Sequence, residues 1–128
     1  MRRFKLQKLV RDKVLDNILA KGNKVVSHKL NDKNFVLELK KKLLEECNEL
    51  NLSQGNNIID EIADVQEVID NLLKVLKVKK KKIKEILKNK VKKAGSFKKR
   101  TYIETVDLND NDEWIKYYTK NFTEIKIK

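Results

Sequence analysis

The chain has no proline and only three glycines, and this limits its fold more than any other feature. Sandwiches and barrels need turn residues about every 8–12 positions, whereas an average chain carries about 5% Pro and 7% Gly. So little punctuation predicts a few long helices. The length of 128 residues suits one domain with a modest core.

The apolar residues confirm the period. Val10, Val14, Leu15, Ile18 and Leu19 predict a short helix over about 9–20, stopped by Gly22. Residues 24–30 are β-branched and irregular, a strand or extended segment. Asn31 or Asp32 then offers an N-cap for a long helix from 33 to about 52. The polar loop 53–57 separates it from a second long helix, about 58–76. Lys79–Lys82 interrupt the pattern, which resumes at Ile83, Ile86, Leu87 and Val91 and ends at Gly95. Residues 97–106 are a candidate strand to pair with 24–30. Asp112 is placed to cap a last helix with Trp114, Ile115, Tyr118 and Phe122. The expected fold is mostly α: an antiparallel helical hairpin with a small β accessory. It forms a single domain over 1–128 with a tail from about 107.

Projecting the long helices at about 100° per residue exposes an anomaly. On the first, Leu39, Leu43 and Leu50 define the apolar stripe, with Glu46 beside them and Glu49 and Glu45 at its margin. On the second, Glu61 falls between Val68 and Leu72, inside the stripe, and Asp64 lies at its edge. A short loop makes such helices antiparallel, so Glu46, Glu49, Glu61 and Asp64 face one locus. Four clustered carboxylates need protons or a cation to coexist. A hard divalent ion such as Mg²⁺ suits oxygen ligands and works with phosphates. The bland alternative is a set of surface salt bridges, with Lys42 in i,i+4 register with Glu46.

The residues also match a known family. Glu45-Glu46-Cys47-Asn48-Glu49 with Glu61-Ile62-Ala63-Asp64 resembles the EExxE…ExxD signature of the all-α NTP pyrophosphatases. This superfamily includes MazG, dimeric dUTPases and phosphoribosyl-ATP pyrophosphohydrolase. Lys8-Leu9-Val10-Arg11-Asp12-Lys13 is similar to the KLVRDKI opening of its small stand-alone MazG-like branch, and residues 93–100 are similar to that branch's RGGFxKR segment. The resemblance covers about residues 5–106. It implies a four-helix arrangement completed by a homodimer or larger homo-oligomer. It also implies Mg²⁺-dependent cleavage (Mn²⁺ as an alternative ion) between the α- and β-phosphates of a nucleoside triphosphate. Metal ligation then falls to Glu46, Glu49, Glu61 and Asp64, and Glu45 is the candidate for directing water. Lys8, Arg11, Lys13, Lys98 and Arg100 are candidates for the phosphates. Phosphoribosyl-ATP is an alternative substrate within the superfamily.

The remaining features favour plainer readings. Thirty-one basic against 19 acidic residues give a formal charge of +12, which raises a basic nucleic-acid-binding module without catalysis as the alternative function. The lysine run lacks interleaved aromatics and is read as a solvated helix start, so nucleic acid is not the expected partner. One cysteine excludes a disulfide framework, and Cys47 is read as packing. His28 has no partner residues. Trp114, Tyr117, Tyr118 and Phe122 are read as local or subunit packing. No secretory or membrane-spanning apolar run is present, and the cytoplasm is the expected compartment.

Overall fold

The computed structural model describes residues 1–127 and is all-helical. Five helices follow one another: α1 (Asp12–Ala20), α2 (Asp32–Leu52), α3 (Asn57–Val75), α4 (Lys80–Ala94) and α5 (Ile115–Asn121). The chain divides into two compact units, Met1–Asn89 and the part from Lys90 onward.

The first unit is organised around α2 and α3, which pack against each other. Asn31 caps α2, its side-chain oxygen accepting from the Asn34 amide at 2.8 Å. This meets one of the orphan donors of the first turn. At the other end, Ser53 Oγ donates to the Leu50 carbonyl at 2.7 Å. Only residues 53–56 separate the helices, and the reversal uses Gly55 in the left-handed region at φ +59°, where a Cβ would be strained. Helices packed across so short a loop run antiparallel.

Their interface is thin. Leu39 and Val68 are the buried apolar side chains among the described residues, and the carboxylate of Glu46 is buried with them. Much of the predicted stripe stays open: Ile62 is 52% exposed, and Ile59 and Leu44 on neighbouring faces are 67% and 70% exposed. Helix α1 begins at Asp12, three residues later than the apolar spacing suggests, and ends where Gly22 donates to the Leu19 carbonyl at 2.9 Å. Residues 24–30 are irregular. Val26 is fully exposed, so its β-branched side chain has no pleated surface to pack on. Segment 97–106 is equally irregular, and the described residues contain no strand ladder.

Helix α4 starts at Lys80 rather than Ile83, taking most of the lysine run into its first turn. In the second unit, Asp112 Oδ1 accepts from the Trp114 amide at 2.8 Å, and α5 begins one residue later. Trp114, Tyr117, Tyr118 and Phe122 form a chain of mostly edge-to-face contacts with centroids 5.3–6.2 Å apart, the packing that ring quadrupoles favour. No helix among the described residues is long and apolar enough to cross a membrane.

Candidate metal centre

The helical hairpin brings three carboxylates together. Glu46 from α2 and Glu61 and Asp64 from α3 each present an oxygen, and these oxygens lie within 4.8 Å of one another. Their convergence follows from local geometry. Glu61 and Asp64 are three residues apart and share one face of α3, while Glu46 stands on the stripe of α2 that packs against it.

Two observations set this group apart from ordinary surface acids. Glu46 is 9% exposed, and its Oε2 is buried without a hydrogen-bond partner, as is Oε2 of Glu61. Buried polar atoms of folded proteins are nearly always paired. Lys42, the helical neighbour of Glu46, approaches only the other oxygen, at 3.9 Å.

The electrostatics agree. Burial pushes the Glu46 carboxyl above its ordinary value of 4.5. The charge and hydrogen bonding of Glu49 and the charge of Asp64 push it further, against a smaller pull from Lys42. Glu61 is raised in the same way, by desolvation first and then by Glu49 and Asp64. Glu49 thus stands close enough to act on both, although the tightest group is Glu46, Glu61 and Asp64. Desolvation and like charge both favour the protonated forms, and a divalent cation removes both penalties.

Cations from the N-terminal segment reach both sides of the hairpin. Lys8 Nζ donates to Glu45 Oε1 at 3.0 Å, and Lys42 adds a looser contact to the same oxygen at 3.8 Å. The Lys8 hydrogen bond is the main reason that the Glu45 carboxyl lies below 4.5. Arg11 pairs with Asp64 at 3.0 Å and with Glu67 at 2.5 Å. Lys8 and Arg11 therefore rest on carboxylates. Lys13 is exposed on α1, while Lys98 and Arg100 belong to the second unit, in the turn after α4. That turn closes with the Arg100 amide donating to the Phe97 carbonyl at 3.1 Å.

Sequence reasoning missed Glu67, although its position three residues after Asp64 puts both on one face of α3. It also undervalued Lys42, whose ammonium lies within 3.9 Å of both Glu45 and Glu46. Cys47, expected to pack, is exposed with a free thiol. His28 is exposed on the irregular segment.

Comparison with protein-family models, with curated proteins and with solved structures gives no match. The chemistry is therefore read from the site's own residues. Three converging carboxylates, two with buried unpartnered oxygens, make an oxygen-only donor set of the kind hard cations prefer. The orphaned atoms are the test of fit, and the residues pass it.

Proposed function

We propose that the protein is a MazG-like nucleotide pyrophosphohydrolase. It cleaves the α–β phosphate bond of a nucleoside triphosphate, canonical or damaged, and gives the monophosphate and pyrophosphate. The observation that carries this reading is the buried carboxylate of Glu46, one of its oxygens unpartnered, clustered within 4.8 Å with the carboxylates of Glu61 and Asp64. The resemblance of the acidic motif, of residues 8–13 and of residues 93–100 to that superfamily supplies the reaction.

Glu46, Glu49, Glu61 and Asp64 would hold Mg²⁺, or Mn²⁺ in its place. When bound, the ion supplies charge neutralisation at the phosphate oxygens and acidifies water. Glu45 orients the attacking water. Held ionised by Lys8 and Lys42, it is a ready hydrogen-bond acceptor and a weak proton acceptor, so positioning is its main task. Lys8, Arg11, Lys13, Lys98 and Arg100 are the phosphate ligands of this reading. Lys8 and Arg11 exchange their carboxylate partners for phosphate when substrate enters.

The same reading includes the MazG-like four-helix arrangement with its small β accessory, completed by a second copy. The open apolar faces at Leu44, Ile59 and Ile62 support a homo-oligomer, because a single hairpin buries too little apolar surface to be comfortable alone. Nucleotide-pool sanitation in the cytoplasm is the corresponding role, and phosphoribosyl-ATP is the alternative substrate.

The test is pyrophosphate release across a panel of canonical and damaged triphosphates and phosphoribosyl-ATP, with Mg²⁺. At least one is expected to be cleaved, with activity abolished by Glu61→Gln or by chelation. A panel without release would sink the proposal.

A further inference from the structure

The formal charge of the chain is confined to one stretch. Residues 77–100 carry 13 basic and one acidic side chain, whereas the other 104 residues carry 18 of each. The whole +12 excess thus lies between the end of α3 and Thr101. A coding bias toward lysine would spread the residue along the chain. Instead eight of the 15 residues of α4 are Lys, against 27 Lys in all 128. The concentration calls for a partner as dense in negative charge.

Helix geometry sharpens this. Lys81, Lys84, Lys88 and Lys92 fall within about 80° of one another on α4 at 100° per residue. They form an exposed row about 16 Å long at 1.5 Å rise per residue. Among the described residues, only Lys80 of the α4 lysines pairs with a carboxylate, Asp70 at 3.7 Å. Past Gly95 the chain makes the turn that holds Lys98, Lys99 and Arg100. In sequence this turn is bracketed by two uncovered aromatic rings: Phe97 is 99% exposed and Tyr102 is 86% exposed. A row of cations followed by aromatics with free faces is the pairing that binds single strands, through phosphate neutralisation and base stacking.

We infer that α4 and the turn after it are a binding surface for single-stranded nucleic acid. The lysine row neutralises consecutive phosphates, and Phe97 and Tyr102 stack on bases. The lysine row of α4 and the two rings take no part in the nucleotide-hydrolysis reading, which shares only Lys98 and Arg100 with this surface, and strand binding needs neither the carboxylates nor Mg²⁺. An anionic membrane fits less well. The apolar edge of α4 is only Ile83, Ile86, Leu87 and Val91, with no Trp or Phe on the helix to anchor in the interface.

The experiment is fluorescence anisotropy of the full chain with a labelled oligothymidylate of roughly 20 nucleotides, titrated over a range of salt with EDTA present. Parallel arms use a duplex of the same length and vesicles of phosphatidylcholine with phosphatidylserine. Single-strand binding is expected at about 0.15 M salt, with log K falling linearly against log salt. Replacing Lys81, Lys84, Lys88 and Lys92 together by Gln should shallow that slope by about 2.8, from about 0.7 per phosphate contact, and weaken binding at least ten-fold. The helix remains intact, since Gln is a good helix former. Phe97→Ala with Tyr102→Ala should weaken binding about five-fold or more at unchanged slope. No binding at that salt, an unaltered slope in the four-lysine variant, tighter binding to the duplex, or binding to the vesicles alone would each overturn the inference.

Discussion

Replacing Glu46 by Gln separates a metal-binding carboxylate from a salt-bridged one, because the two predict opposite signs. Gln keeps the shape of the side chain and removes its charge. Two like charges 4.8 Å apart, the limit of the group's spacing, repel by about 3.5 kcal/mol at an effective dielectric of about 20. Glu46 has two such neighbours in Glu61 and Asp64. Partial protonation, and the cations Lys42 and Arg11 close by, relieve most of that repulsion. We therefore expect a net gain of only ~1–2 kcal/mol when the charge is deleted in metal-free buffer near pH 8. For a chain of this length that is a melting temperature higher by about 3–8 °C. In Mg²⁺ the order reverses. A ligand at about 100 times its Kd stabilises the native state by about 2.7 kcal/mol. The wild type should therefore gain with Mg²⁺ while Glu46→Gln does not. The assay is thermal unfolding by circular dichroism in EDTA and across a Mg²⁺ titration. If Glu46→Gln melts lower in EDTA and keeps the wild-type response to Mg²⁺, Glu46 is an ordinary partner of Lys42 and the metal reading collapses.

Other outcomes follow from the same structure. Arg11→Gln removes a guanidinium from Asp64 and Glu67; these groups are well exposed, so metal-free stability should drop by no more than about 1 kcal/mol. The Mg²⁺-induced shift should grow as a competing cation is lost, and an unchanged or smaller shift refutes that role. Leu44→Glu, at a 70% exposed position, should leave the monomer's helicity intact and lower the mass seen by light scattering; no change in mass would remove that face from the subunit contact. Metal-free stability should also depend on pH. The folded state holds the protons of Glu46 and Glu61 more firmly than the unfolded chain does, since both carboxyls are raised above 4.5. Their contribution is greatest below 4.5 and is lost as pH rises through the raised values. Glu45, lowered by Lys8, adds stability above 4.5 that disappears as pH falls. Denaturant titrations in EDTA should show the loss on the alkaline side, and saturating Mg²⁺ should abolish it; a profile indifferent to Mg²⁺ contradicts the cluster.

The long helices were legible because their signals are local. An amphipathic period, the Asn31 cap and the Gly55 turn lie within a few residues of what they organise, and α2 and α3 begin and end within about one residue of the expected limits. The carboxylate cluster was legible for the same reason, because side-chain direction on a helix is set by spacing. Contacts over long sequence separations were not. Nothing in the periodicity of residues 1–11 announces that Lys8 would find Glu45, or Arg11 find Asp64 and Glu67. Those pairings depend on how an irregular segment lies on the hairpin. The start of α4 was misjudged because lysine favours helix even where no apolar residue marks the period. The segments at 24–30 and 97–106 are irregular among the described residues, and their β-branched composition fixes no partner by itself, since a ladder depends on a neighbouring strand far away in sequence.

The hairpin's short connection has a consequence for diversification. Glu46, Glu61 and Asp64 fall within residues 46–64, and their relative placement is maintained by two rigid rods packed side by side rather than by the four residues joining them. Closing a flexible loop costs only about 0.6 kcal/mol more for each doubling of its length. Insertions after Leu52 could therefore reshape the rim around a bound molecule while leaving the acidic cradle in register. Under the proposed function, selectivity would be rewritten at that loop without moving the carboxylates that would hold the ion, which makes residues 53–56 the natural place to graft new recognition onto this scaffold.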